Sequence, residues 1–78
     1  MKLLYVADYT ASVVLIYQQG KTSSGPIGDI VKGISKPEGV AVDKNGMLYV
    51  ANNGNNTVTE YPPGAIKPKV TLSIRVPI

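Results

Sequence analysis

Seventy-eight residues with a net charge of +3 and an apolar fraction of 44% describe one small globular unit, too apolar to be a disordered segment. The chain has neither cysteine nor histidine, which removes disulfide frameworks, thiol chemistry, Cys/His zinc sites and every histidine-dependent triad. An independent domain of this size buries only about 60% of its unfolded surface, so without such a staple it needs partner chains or further repeats to complete a core.

The chain reads as strands throughout, with no helical period. A first strand is predicted over 3–7. The charged start ahead of it has the look of a signal peptide, but the apolar stretch meets Asp8 after five residues, short of the about 7–15 such a segment needs. Two further strands are predicted over 12–17 and 27–31. Residues 38–43 form a β-branched run, Lys44-Asn45-Gly46 supplies a turn with Gly46 free to take positive φ, and 47–51 completes a hairpin. Asn52-Asn53-Gly54-Asn55-Asn56 is a compact polar turn whose amides can close Asx-turns before the next strand, 56–61. Pro62-Pro63-Gly64 stops that strand, because proline cannot donate to a ladder. The last strand, 69–74, alternates polar and apolar residues and so has one buried face.

Leu4-Tyr5-Val6-Ala7 recurs as Leu48-Tyr49-Val50-Ala51, and the same shift of 44 pairs Val14 with Val58, Tyr17 with Tyr61, Gly20 with Gly64 and Ile30 with Ile74. The repeat assigns residues 1–34 to a first unit and 35–78 to a second. Four strands per repeat of about 40–45 residues is the pattern of a β-propeller blade. The expected fold is therefore all-β, about two four-stranded antiparallel propeller blades holding seven strands between them. From the axis outward the chain reads B, C, D for the first blade and A, B, C, D for the second, so the first lacks its innermost strand. The tail at 75–78 ends before the repeat would place another. The inner strand of the second blade, with Val40 and Val42, is expected to be buried on both faces. Two blades do not close a ring of about four to eight. A piece of a longer propeller is the favoured expectation; the other is a two-blade protomer, for instance three copies making a ring of about six blades.

The run from Pro37 to Asn56, Pro-Glu-Gly-Val-Ala-Val-Asp-Lys-Asn-Gly-Met-Leu-Tyr-Val-Ala-Asn-Asn-Gly-Asn-Asn, closely resembles the NHL-type repeat. The first unit keeps only Leu-Tyr-Val-Ala-Asp, Val14 and Tyr17 of that pattern, together with its outer part. Similar segments occur in the gluconolactonase and senescence-marker family and in virginiamycin B lyase-like propellers. In the gluconolactonase-like enzymes the residue before this glycine includes divalent-metal ligands. The resemblance thus makes Glu38 the metal candidate, an oxygen donor suited to Ca²⁺ or another divalent ion in a complete propeller. The opposing reading, a solvated loop carboxylate, is favoured, because a metal site draws donors from several blades and this chain has one inner strand. The lyase chemistry depends on a histidine, which is absent here.

Asp8 and Asn52 hold equivalent places after Leu-Tyr-Val-Ala. With Asp43 and Gly46 they are read as structural turn residues. Tyr5 and Tyr49, Tyr17 and Tyr61 recur as pairs within strands and are read as blade packing with bonded hydroxyls. No catalytic residue and no cofactor is assigned: the serines have no histidine to activate them, and no Gly-x-Ser-x-Gly or phosphate-binding glycine loop is present.

A binding and interaction scaffold is the favoured function, with a protein, peptide or glycan ligand and with further blades or copies of the chain as partners. The alternative is part of a metal-dependent lactonase or hydrolase. The eight Lys and Arg are scattered and form no basic run, so neither nucleic acid nor a membrane surface is an expected partner. The longest apolar runs, five residues each, fall far short of the ~20 that span a bilayer. Related repeats are frequent in exported bacterial proteins, which suggests an extracytoplasmic parent.

Overall fold

A computed structural model describes residues 2–74, and the seven predicted strands appear within a residue or two of their expected bounds. The first sheet holds β1 (Leu3–Asp8), β2 (Val13–Gln18) and β3 (Gly28–Ile30) in that order. The second holds β4 (Pro37–Val42), β5 (Leu48–Asn52), β6 (Thr57–Tyr61) and β7 (Val70–Ser73), again in chain order. Every pairing is antiparallel, so each sheet is a meander built from hairpins. The described residues contain no α-helix; a single 3₁₀ turn, Thr22–Ser24, bends the connection from β2 to β3.

Punctuation explains the turns. Gly46 takes φ +85, as the turn after β4 requires, and a Cβ there would lie 3.0 Å from Pro63 Cγ. Asp43 closes the same turn: its Oδ1 accepts from the N–H groups of Asn45 and Met47, each at 2.9 Å, and its Oδ2 accepts from the Tyr49 hydroxyl at 3.1 Å.

Alternation across each strand sorts side chains onto two faces. In the first sheet Leu3 and Tyr5 share a face with Val14, Ile16 and Ile30; in the second Val40, Leu48, Val50 and Tyr61 share one. These residues form a single apolar cluster, so the two sheets pack face to face as consecutive units, and β1 lies in contact with β4. Each fully buried aliphatic side chain in the cluster contributes about 1.5–3 kcal/mol. Tyr61 is fully buried, and its hydroxyl donates to the Lys32 carbonyl, 2.8 Å away in the loop joining the sheets. Burial pushes its phenol pKa up.

Two expectations are corrected. β4 is not buried on both faces: it is the edge of its sheet, Val40 alone of its two valines packs on the core, and Val42 is 50% exposed. The constant shift of 44 also fails in the outermost strands. Ile30 pairs with Val14, but Val58 pairs with Leu72, so the equivalent of Ile30 is Leu72 rather than Ile74. The reason is a connection from β6 to β7 that is two residues shorter than its counterpart, which carries the 3₁₀ turn. The expectation about the tail at 75–78 lies outside the described residues.

Candidate functional site

The loop from β3 to β4, the loop from β1 to β2 and the Asn-rich loop from β5 to β6 meet at one end of the sheet pair. Asn52 is their hub, 3% exposed. Its Oδ1 accepts from the Ser35 N–H at 3.1 Å, and its Nδ2 donates to the Thr59 and Thr57 hydroxyls at 3.0 and 3.3 Å. The Asn53 N–H reaches the Lys36 carbonyl, and the Gly54 N–H reaches the Ser35 carbonyl. Lys36 in turn donates its N–H to Ser12 Oγ at 3.1 Å, tying the second sheet to the first.

The non-glycine residues with positive φ among the described residues are Ser12, Lys36 and Asn56, all in these three loops. Ser12 and Asn56 are repeat equivalents, so the left-handed residue is a feature of the unit. Asparagine tolerates that conformation, whereas serine and lysine are strained in it by about 1–2 kcal/mol. Such strain persists only where surrounding contacts over-determine it, as the hydrogen bonds on both sides of Lys36 do here.

Beside this network lies a recess of about 230 Å³ lined by Glu38, Asn52, Asn53, Asn56, Thr57 and Ile74. Glu38 reaches it through a backbone irregularity. Pro37 pairs with Asn52 and Gly39 with Ala51, which leaves Glu38 as the extra residue of a β-bulge. A bulge re-aims its side chain out of the strand's alternation, and Glu38 is exposed at the rim. Tyr9, 45% exposed, stands at the same end, with a long 3.5 Å contact from Asn53 Nδ2 and the Lys36 ammonium 6.0 Å from its ring centre.

A larger recess of about 390 Å³ lies at the opposite end, between Leu3, Tyr5, Val42 and Pro63, with Asp43 and Lys44 at its margin. Its one carboxylate is already committed. Asp43 is held below the usual carboxylate range chiefly by the Met47 N–H, with help from the Tyr49 hydroxyl and the Asn45 and Gly46 N–H groups. Tyr49 is pushed up by the same hydrogen bond. This coupling has a pH signature. A depressed carboxyl contributes stability above its unfolded pKa of about 3.9 and loses it as pH falls through the folded value, and a raised phenol loses its contribution as pH rises above about 10. Denaturant midpoints of the native chain and of Asp43→Asn, followed against pH, should differ by a constant amount near neutrality and converge at both extremes. Parallel curves would show that the turn does not shift the ionisation of Asp43 between the folded and unfolded chain.

The residues singled out in the sequence therefore fall apart in space. Asp8 accepts from the Ala11 N–H at 3.0 Å in its own exposed turn, Asp43 and Gly46 lie at the far end, and only Glu38 and Asn52 come together at the recess. Among the described residues no three His, Cys, Asp or Glu side chains converge as metal donors, and Glu38 is the one carboxylate lining its recess. A hard dication takes about 6–8 oxygen ligands, so the donors in this chain do not by themselves fit one. Sequence reasoning missed Tyr9, Ser35 and Lys36. The position of Lys36, directly before Pro37 in the loop that must cross between sheets, was the available signal.

A protein-family model, the NHL repeat, matches residues 35–61, which take in β4, β5 and β6. That match supports an NHL-type repeat in this part of the chain, and the two antiparallel sheets are consistent with blades of an incomplete propeller. No curated protein and no solved structure matches the chain.

Proposed function

We propose that this pair of NHL-type blades is a binding scaffold, presenting the loops around Glu38 to a protein, peptide or glycan. The observation that carries the reading is the convergence of an exposed carboxylate on a bulge, an exposed tyrosine and a rim of asparagine amides, on loops whose strained backbone is held fixed. Amides and hydroxyls suit the backbone of a peptide or the hydroxyls of a glycan, and an aromatic face adds stacking. Rigid loops of this kind reduce the ordering cost of binding.

The test is a screen of the full chain against glycan and peptide libraries. Any ligand recovered is then measured with Tyr9→Ala, Glu38→Gln and Asn53→Ala. Each substitution should weaken binding by about tenfold or more, the share expected of a central contact, while Lys44→Ala at the far end leaves it unchanged. A ligand indifferent to all three, or sensitive only to Lys44, would overturn the assignment.

The aim of Glu38 into a recess also favours a second reading, a contribution to a metal-dependent hydrolase of the gluconolactonase kind. That reading needs further oxygen donors from other blades.

A further inference from the structure

The two outward faces of the blade pair are repeat copies of the two faces it buries. Leu48 and Val50, 1% and 0% exposed, correspond to Leu4 and Val6, 43% and 39% exposed on the outer face of the first sheet. Fully buried Tyr61 corresponds to half-buried Tyr17 on that same face. In the other direction, Val14 and Ile30, both 0% exposed, correspond to half-buried Val58 and to Leu72, 50% exposed on the outer face of the second sheet. Each exposed face therefore carries the residues that, one repeat away, already pack against residues like those of the other.

We infer that the chain associates with copies of itself head to tail, the Leu4/Val6/Tyr17 face of one docking on the Tyr49/Val58/Leu72 face of the next. The interface observed inside the chain is the template, and repeating its rotation closes a ring of about four to eight blades from about two to four copies. Three acidic residues lie on these faces, Asp8 and Asp29 on the first and Glu60 on the second. Asp29 corresponds through strand pairing to exposed Thr71, at the edge of the contact, whereas Glu60 corresponds to Ile16, 7% exposed, and Asp8 to Asn52, 3% exposed. A rim charge such as Asp29 remains solvated and weighs little, whereas Glu60 and Asp8 lose part of their hydration on docking, a cost the apolar centre has to exceed.

Sedimentation of the full chain should reveal a discrete closed species. Val6→Asp spoils one face and Leu72→Asp the other; each variant alone should be monomeric. Mixed one to one, they should form a heterodimer, because each retains the face the other lacks. Circular dichroism tests folding, and a pair that loses its β signal is replaced by Val6→Thr and Leu72→Thr, for which about tenfold weaker self-association is expected. Three results would overturn the inference: a native chain still monomeric at ~1 mM, as for a unit completed only by further blades of a longer polypeptide; variants that still self-associate; or a folded pair that does not recombine.

Discussion

Replacing Tyr61 with alanine should remove about 3–5 kcal/mol of stability, the usual cost of emptying a buried aromatic site. A chain of this length has about 4–12 kcal/mol in total, so the variant loses a large share of its folded population. The size of the effect follows from position. Tyr61 is fully buried at the face shared by the two sheets, and its hydroxyl bonds the loop that joins them. Tyr61→Phe separates the two contributions: it keeps the ring and leaves the Lys32 carbonyl without its donor, a loss of about 0.5–1.5 kcal/mol. Urea midpoints at one fixed chain concentration measure both, since association would make stability depend on concentration. An alanine variant within ~1 kcal/mol of the native chain would mean that the sheets do not pack through this residue.

Asn52→Ala comes next, with an expected cost of about 2–3 kcal/mol. The substitution orphans the Ser35 N–H and removes the amide shared by Thr57 and Thr59, all from a residue 3% exposed. The same change at its repeat equivalent, Asp8→Ala, removes one exposed turn bond to the Ala11 N–H and should cost less than about 1 kcal/mol. Equal costs at the two positions would reduce Asn52 to a local turn former and remove its role in joining the loops.

That contrast marks how far the sequence was legible. Strand number, order and approximate bounds followed from Pro, Gly and Asn punctuation between β-branched runs, and the repeat revealed the unit. Gly46 was legible because turn chemistry is local. Asn52 was legible as a polar residue after a strand, but its burial depends on Ser35, which arrives from another part of the chain. The bulge at Glu38 had no clear mark beyond the glycine after it. The pairing of Ile30 with Ile74 misled because an ungapped shift cannot register a connection shortened by two residues. Val42 was read as core from its place on the inner strand, whereas burial there requires a neighbour on the open side of β4. Strain at Asn56 suits its residue type; at Ser12 and Lys36 it is imposed by the loops they join.

Residue-resolved native-state hydrogen exchange asks whether the sheets are one folding unit. If the common face of Val14, Ile30, Val50 and Tyr61 binds them, the ladder amides of β2 and those of β5 and β6 should exchange through the same global opening, with equal free energies and equal sensitivity to urea. A first sheet that opens separately, at lower free energy and with a smaller urea dependence, would contradict the packing of two consecutive blades.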